Sequence, residues 1–506
     1  MKSTEFPSLR QAGLTLVLGL GETGLAAARW CLRHGAAVRL ADTRAASKAV
    51  DALRVETGEG LDLRLQEAAL DLSVLDGVSR IVLSPGLVPH EAPLAGFLAE
   101  ARGRNIEIIG EIELFALALA DLSGQGYCPK VLAVTGTNGK TTVTAMTRRL
   151  LEAAGHVAIA AGNISPPALT ALVEALDQDA LPDVWVLELS SFQLDSIFSL
   201  SVDAAVVLNL SQDHLDWHGS MQAYADAKAR VFNHAAVTVV NRDDPQVMRM
   251  VADIADPQVR SFGADLPEYE GDLGLDDSQG IEWLAAVAVQ EPEPAATGRR
   301  RKAGAVAKRQ TGPVQRLMPA EVLRLRGRHN ALNALAAMAL VQAVGGGWAP
   351  MLHALREYAG EPHRCEFVRS VAGVDFVNDS KGTNVGATVA ALEGMGKPVV
   401  LIAGGLGKGQ DFTPLADAVQ RHARAVVLIG QDASLIGTTL DPAIAQHTAA
   451  SMEEAVGKAM AVALEGDIVL LSPACASMDM FLNYLQRGDR FVDAVNELAL
   501  DRGEVA

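Results

Sequence analysis

Cysteine is scarce in this chain, and what there is does not cluster. Cys31, Cys128, Cys365 and Cys475 stand far apart, with no C-x-x-C and no metal-ligand spacing. That excludes a disulfide framework and fits a reducing cytosol. Long apolar runs are missing as well. No segment nears the roughly 18 uninterrupted apolar residues of a membrane span, and the opening "MKSTEFPSLRQAG" has no apolar signal region. Positive charge is in deficit: the formal net charge of −18 speaks against a nucleic-acid partner, because gripping a phosphate backbone needs a basic face. A small anion stays open, since a helix N-terminus and a few local cations suffice to hold one. No internal repeat is visible. The expectation is a soluble, cytoplasmic protein.

What is present is ample apolar material. Hydrophobic residues make up 49% and charged residues 21%, an ordinary globular balance. At 506 residues the chain exceeds a single core and points to about three domains. The expected class is α/β throughout. A Rossmann-like first domain spans 1–109, a central parallel-sheet domain 110–360 and a second Rossmann-like domain 361–506. The pattern behind this is strand, loop, helix, repeated: "LTLVLGLGETGLAAARWCLRHGAAVRLADTR" and "IVLSPGLVP" in the first unit, "VWVLELSS" and "AAVVLNLS" in the second, "KPVVLIAGGLGKGQDF", "RAVVLIGQDAS" and "DIVLLSPACASMDMF" in the third. In open α/β sheets ligands collect at the carboxyl ends of strands, where these loops lie. Between about 265 and 320 the periodicity fails. "QEPEPAATGRRRKAGAVAKRQTGPVQ" reads as a mobile, solvated loop over about 290–312, its Arg299, Arg300, Arg301 and Lys302 included.

Gly19, Gly21 and Gly24 form G-x-G-x-x-G after a strand, with Asp42 at the end of the next one. This is the dinucleotide fingerprint in its proper context. Physically it means room for a diphosphate near a helix N-terminus, so NAD(P) or FAD, another nucleotide such as a UDP-linked substrate, and a plain packing turn all remain open.

"VLAVTGTNGKTTVTAM" is a second glycine turn, with a lysine. It departs from a full Walker A motif, because Val134 stands where that motif has its first glycine. The shortened loop Gly136, Thr137, Asn138, Gly139, Lys140, Thr141 and Thr142 can still surround phosphates with backbone N–H groups. Lys140 would neutralise them and Thr141 would hold Mg²⁺. ATP with Mg²⁺ is the expectation. Glu188, ending "VWVLELSS", is placed for a metal carboxylate. His214 follows "VVLNLSQDH" with Asp216 close behind; a lone histidine is more often a structural partner, but this one sits at a strand end in a phosphate-binding unit. Lys228, in "YADAKARVF", reads by composition alone as a surface lysine, and Cys475 as packing.

The ordered set "GTNGKTT", "LELSSFQ", "NLSQDHLDWHGSMQAYADAK", "GRHNALNALAA", "PHRCEF", "NDSKGTN" and "SPACASMDMFLNYLQRGDRF" covers nearly the whole chain and resembles the Mur ligase family. These enzymes use ATP to join an amino acid to a carboxylate. Within it, "GLGETG", the "SPG" loop and "SPACAS" resemble the member that adds D-glutamate to UDP-N-acetylmuramoyl-L-alanine in peptidoglycan synthesis. A sister ligase with another amino acid or acceptor is the alternative, and an NAD-dependent dehydrogenase a more distant one. The resemblance implies that the first domain holds UDP through Gly21, Thr23, Asp42, Thr43, Arg44, Ser84 and Gly86, with Asn163, Ser190 and Gln193 toward the muramoyl-peptide. It implies catalytic roles for Lys140, Glu188, His214 and Lys228, and metal roles for Thr141, Glu188, His214 and a Lys228 carried as a carbamate. Asn333, Arg364 and Asp379 would complete the ATP site. Lys381, Thr383, Lys408, Ser477 and Tyr484 would receive D-glutamate. Four positions depart from the family pattern: Glu22 stands for a residue often apolar, Ser165 for a glycine, Leu406 for an aspartate and Tyr484 for a phenylalanine. The implied reaction runs through an acyl phosphate, in a monomer, with no nucleic acid and no membrane span.

Overall fold

Three sheets follow one another along the computed structural model, which describes residues 4–10, 13–45, 48–57, 61–288, 308–325, 327–407 and 410–504. The first contains β1 (Leu14–Leu18), β2 (Val38–Asp42), β3 (Asp62–Leu65), β4 (Val78–Leu83) and β5 (Glu107–Ile109) in the order β3-β2-β1-β4-β5, all parallel. Leu16, Val17 and Leu18 are buried in succession, because helices cover both faces of a parallel sheet. The order reverses at β1, so the glycine turn after it opens into a crevice. Gly24 is there for close approach: a Cβ on it would run into the Gly19 carbonyl oxygen.

The second sheet holds β6 (Lys130–Thr135), β7 (Ala158–Gly162), β8 (Val184–Glu188), β9 (Val202–Val207), β10 (Ala235–Asn241), β11 (Val259–Phe262), β12 (Leu273–Ser278), β13 (Ile281–Val287) and β14 (Val314–Pro319). Their order is β14-β13-β12-β11-β10-β9-β6-β8-β7. From β7 to β12 the pairings are parallel, as expected, but β13 and β14 add an antiparallel hairpin ladder on the β12 edge. The stretch between about 265 and 320 is therefore more ordered than its composition suggests. The heart of the expected loop, with Arg299, Arg300, Arg301 and Lys302, lies outside the described residues. Its described end is not loose: the Arg309 side chain is 4% exposed and pairs with Asp272 at 2.6 Å, and Thr311 bridges to Tyr269.

The third sheet is β15 (Glu366–Val371), β16 (Val374–Asn378), β17 (Val399–Gly404), β18 (Ala423–Ile429), β19 (Ala445–Thr448) and β20 (Ile468–Leu471). Its order is β15-β16-β20-β17-β18-β19, parallel except for the β15/β16 hairpin.

Apolar packing joins the first two sheets. One cluster runs from Ala27 and Trp30 on the helix Glu22–Arg33, through Ile112 and Phe115 on the helix Glu111–Ser123, to Leu172 and Trp185 of the second unit. Phe115 meets the edge of Trp185 at 5.1 Å. The third sheet has its own cores, one on each face. Among the described residues no apolar cluster spans the second and third sheets. No helix among them is long and apolar enough to cross a membrane.

Candidate active site

β6 ends at Thr135 and the chain turns through Gly136–Gly139 into the helix Lys140–Ala153. Gly139 has φ +81°, and a Cβ there would meet Asn333 Oδ1 at 2.7 Å, so both backbone and space require glycine. The end of β9 clamps the turn. Asn138 N donates to Asn209 Oδ1 at 2.8 Å, and Asn209 Nδ2 returns a bond to the Asn138 carbonyl at 3.2 Å. Thr137 Oγ1 lies 3.0 Å from the Tyr224 hydroxyl. The loop is preformed.

Two lysines converge on one carbonyl of that loop. Lys140 Nζ donates to the Gly136 and Thr137 carbonyls at 2.9 and 2.7 Å, and Lys228 Nζ donates to the Gly136 carbonyl at 2.8 Å. Lys228 is no surface lysine. It is 1% exposed, with Nζ 4.7 Å from the Tyr224 ring centre; the composition reading fails because its helix, Met221–Ala229, packs this side against the phosphate loop. Burial, then the charge of Lys140, carries the Lys228 amine well below its ordinary range. Burial lowers Lys140 too, against the pull of Glu188 and Asp213. Glu188, at the end of β8, accepts from Thr141 Oγ1 at 2.6 Å and from Asn163 Nδ2 at 2.9 Å.

A hydroxyl and a carboxylate thus meet beside the phosphate loop, the hard oxygen donors that suit Mg²⁺. Among the described residues no three His, Cys, Asp or Glu gather into a metal cage. Such a site fits an ion held jointly with nucleotide phosphates, as Mg²⁺ usually is. His214 adopts φ +53° at the start of a single helical turn, with Nε2 3.6 Å from Asp213 Oδ2 and its ring 4.7 Å from that of Phe192.

Two clefts open from this floor. One, of about 530 Å³, is lined by Thr137–Thr142, Asn163, Glu188 and Asn333 on the central side, and by Arg364, Asp379, Lys381 and Thr383 on the other. The second, of about 580 Å³, runs on toward Leu406, Ser477 and Tyr484. They share a wall of Asp213, His214, Lys381, Thr383 and Asn384. Arg364 sits between two non-glycine residues in the left-handed region, His363 at φ +64° and Cys365 at φ +44°, local strain of the kind that fixes a functional side chain. Burial raises Asp379 to about 6, against hydrogen bonds and the charge of Arg364. Lys381 lies 3.7 Å from the Tyr484 ring centre, and burial, then Arg364, lowers it to about 8. Lys408 lies outside the described residues. Cys475 is fully buried, and burial pushes its thiol up to about 12, so it serves packing.

The first glycine turn makes a separate cleft of about 680 Å³, lined by Gly21, Glu22, Arg29, Asp42 and Arg44 from the first unit and Ser165, Thr170 and Glu174 from the second. Asp42 Oδ2 accepts from Leu20 N at 2.6 Å and pairs with Arg44 at 2.7 Å. Burial acts to raise its pKa, but these bonds outweigh it and hold the carboxyl below its usual range. Ser84 stands on the far side of the turn, against Gly19. Thr23, Thr43, Ser84 and Gly86 are not among this cleft's lining residues. Ser190 and Gln193 engage each other in a capping box at the helix Ser191–Leu194. Two of the four departures meet: Ser165 Oγ donates to Glu22 Oε1 at 2.9 Å.

Sequence reasoning missed Asp213, Asn209, Tyr224, Asn384 and Arg29. The first two lie in the quoted "NLSQDH" loop. Tyr224 precedes Lys228 by four residues, the spacing that puts two side chains on one helix face. Nothing local marks Arg29.

Comparison with known proteins matches three family models along the chain: "Mur ligase MurD-like, N-terminal domain" over 14–110, "Mur ligase middle domain" over 134–341, and "Mur ligase, glutamate ligase domain" over 363–475. The UDP-N-acetylmuramoylalanine–D-glutamate ligase of Bordetella avium is 60% identical over 99% of this chain and 100% of its own. The protein of that name from Bordetella bronchiseptica is 59% identical, with 100% of both chains covered. Among solved structures, the MurF ligase from Thermotoga maritima in complex with ADP matches with a TM-score of 0.58 at 16% identity, over 97% of this chain and 96% of that one, a likeness of fold. The chain belongs to the Mur ligase family and to its MurD-like branch.

Proposed function

We propose that this chain joins D-glutamate to the alanyl carboxylate of UDP-N-acetylmuramoyl-L-alanine at the expense of ATP, a step of peptidoglycan precursor synthesis. The observation that carries the reading is the shared wall of the two clefts. A nucleotide seated on the phosphate loop would occupy a cleft that Asp213, His214, Lys381 and Thr383 also line, and an amine in the second cleft would meet the same residues. Full-length likeness to ligases of this name selects the substrates.

A carboxylate is a poor electrophile and must be activated first. The alanyl carboxylate oxygen attacks the γ-phosphorus of ATP, the bond to the β-phosphate bridging oxygen breaks, and ADP leaves. Lys140, now curled onto its own loop carbonyls, swings onto the phosphates and offsets their charge. The glutamate amine attacks the acyl carbon, loses a proton, and phosphate departs with the acyl–oxygen electron pair. Mg²⁺, when bound, would supply charge neutralisation; Thr141 and Glu188 would hold it, and His214 and a carbamylated Lys228 would hold a second ion. The uncharged Lys228 amine is the form that adds carbon dioxide: a C–N bond forms, a proton leaves, and a buried amine becomes an anionic oxygen donor.

On this reading Asn333, Arg364 and Asp379 complete the ATP site, and Lys381, Thr383, Lys408, Ser477 and Tyr484 receive the amino acid. Gly21, Thr23, Asp42, Thr43, Arg44, Ser84 and Gly86 hold UDP, with Asn163, Ser190 and Gln193 toward the muramoyl end. One copy of the chain, working in the cytoplasm, is sufficient. The test is phosphate release from ATP and Mg²⁺ with UDP-N-acetylmuramoyl-L-alanine, supplying D-glutamate and L-glutamate separately. Release that requires D-glutamate, with a product heavier by one glutamyl residue, is expected. Release with a different amino acid moves the protein to a sister activity, and none with any would overturn the reading.

A further inference from the structure

Among the described residues, the third unit hydrogen-bonds to the phosphate loop through Asn384. Asn384 ends the segment after β16 that carries Lys381 and Thr383, and it caps the helix Val385–Gly394, its Oδ1 accepting from Ala387 N at 2.9 Å. Its Nδ2 points the other way, donating to Asn138 Oδ1 of the phosphate loop at 3.2 Å and to Asp213 Oδ2 at 3.5 Å. The two halves of one amide therefore do different work. The oxygen organises the helix, and the nitrogen reaches across to the second unit.

The surroundings make that reach possible. Asn138 is fixed on its own side by Asn209 Oδ1, 2.8 Å from its backbone nitrogen, with its Nδ2 3.5 Å from Ser211 Oγ. The first turn of the capped helix also comes close. A Cβ on Gly386 would meet Ser211 Oγ at 2.9 Å and Asn138 Nδ2 at 3.1 Å. Glycine at that position leaves room for the approach. A nucleotide that draws Lys140 off the Gly136 and Thr137 carbonyls changes the bonding next to Asn138, and Asn138 is bonded to the segment bearing Lys381 and Thr383.

Resting on the ligase reading above, we propose that Asn384 is a positioning residue that couples the occupancy of the phosphate loop to the amino-acid cleft. It does so through its amide nitrogen on Asn138 and Asp213, so that ATP on the loop sets Lys381 and Thr383 for the incoming amino acid. The coupling is reciprocal, as any equilibrium linkage must be: amino acid in its cleft tightens nucleotide binding by the same factor.

The variant that separates the two halves of the amide is Asn384→Ser. Serine caps a helix about as well as asparagine, but its hydroxyl is too short to reach Asn138. Equilibrium dialysis of radiolabelled D-glutamate would be run on the full chain with Mg²⁺ and UDP-N-acetylmuramoyl-L-alanine, with and without a non-hydrolysable ATP analogue. In the unaltered protein the analogue should tighten D-glutamate at least fivefold. In Asn384→Ser the gain should fall below twofold, while the melting temperature stays close to the parent's. Asn138→Ala, which removes the acceptor, should abolish the same gain, and the double variant should lose nothing more. Equal gains in Asn384→Ser and the parent would overturn the proposal, as would an absence of any gain in the parent. So would losses in the two single variants that simply add. The ligase reading fails separately, if the unaltered protein releases no phosphate in the presence of D-glutamate.

Discussion

The molecule has two joints between its three sheets, and they are built from opposite materials. Between the first and second sheets the joint is apolar: Trp30, Phe115, Leu172 and Trp185 belong to one buried cluster. Between the second and third it is a polar seam of amides, lysines and carboxyls around two clefts, crossed by Asn384. Opening an apolar joint exposes buried surface at about 25 cal/mol per Å². Opening a polar seam exchanges hydrogen bonds with water at little net cost, about 1 kcal/mol each. Motion therefore belongs to the second joint. On the ligase reading, the first domain would offer its substrate a cleft on a fixed pair of sheets, while the third sheet would close on the ATP and amino-acid sites. Closure also serves the chemistry, since an acyl phosphate hydrolyses where water has access.

The largest effect should come from the seam. Lys140→Ala removes the one cation on the phosphate loop that can swing to the phosphates, and phosphate release should fall by at least about 10²–10³-fold. Because among the described residues Lys140 hydrogen-bonds only to loop carbonyls, the melting temperature should barely move. A stopped assay combined with a thermal melt reads both. A large loss of stability would mean that the seam is structural after all.

The apolar joint should answer in the opposite way. Phe115→Ala deletes a fully buried ring and should cost about 3–5 kcal/mol. In calorimetry the first two sheets should lose stability together, while the transition of the third sheet, which has its own cores, stays in place. A third sheet that melted in step with the others would break the contrast between the joints.

A pH profile sharpens it further. Lys381 is lowered from 10.5 to about 8, a depressed folded value. Its contribution to stability is fullest above 10.5 and is lost as pH falls through about 8. Below that pH the lysine is charged in a cleft that disfavours the charge, and an incoming carboxylate offsets it. The KM for D-glutamate should therefore rise above about pH 8, and Lys381→Arg, which stays protonated, should not show that rise. A parent KM that stays flat to pH 10 would remove Lys381 from amino-acid binding.

How much of this was legible in the sequence differs by joint. The glycine turns, Lys140, Thr141 and Glu188 follow from local grammar, because a phosphate loop is a contiguous piece of chain whose chemistry is written in neighbouring residues. The three sheets were legible for the same reason, since runs such as "VVLIAG" have no use outside a covered parallel sheet. The β13–β14 ladder was not. Its strands flank a Pro- and Ala-rich stretch, and it is tertiary pairing, with Arg309 on Asp272, that orders them. The burial of Lys228 was equally hidden, because a lysine on a polar helix says nothing about what packs on it. Asn384 could not be found without the third dimension: its partners Asn138 and Asp213 lie 246 and 171 residues away.

The smallest effect should be at the rim of the first joint, where Ser165 meets Glu22 at 2.9 Å. Both are positions at which the sequence departs from the family resemblance, and each would be hard to explain alone. A carboxylate at the first turn of the helix Glu22–Arg33 suits the helix dipole, but it lines the cleft proposed to take a diphosphate. The serine draws one of its oxygens toward the second unit, so the pair reads as one accommodation made at two positions. The contact is exposed and bridges sheets already joined by Trp30 and Phe115. Ser165→Ala should therefore leave the melting temperature alone and raise the KM for UDP-N-acetylmuramoyl-L-alanine by only about two- to fivefold, the value of one solvent-exposed hydrogen bond. Glu22→Leu, which removes the acceptor together with its charge, should erase the effect of adding Ser165→Ala. A KM that instead rose tenfold or more would place the serine on the substrate itself, and the rim of the apolar joint would then be part of the binding site rather than its frame.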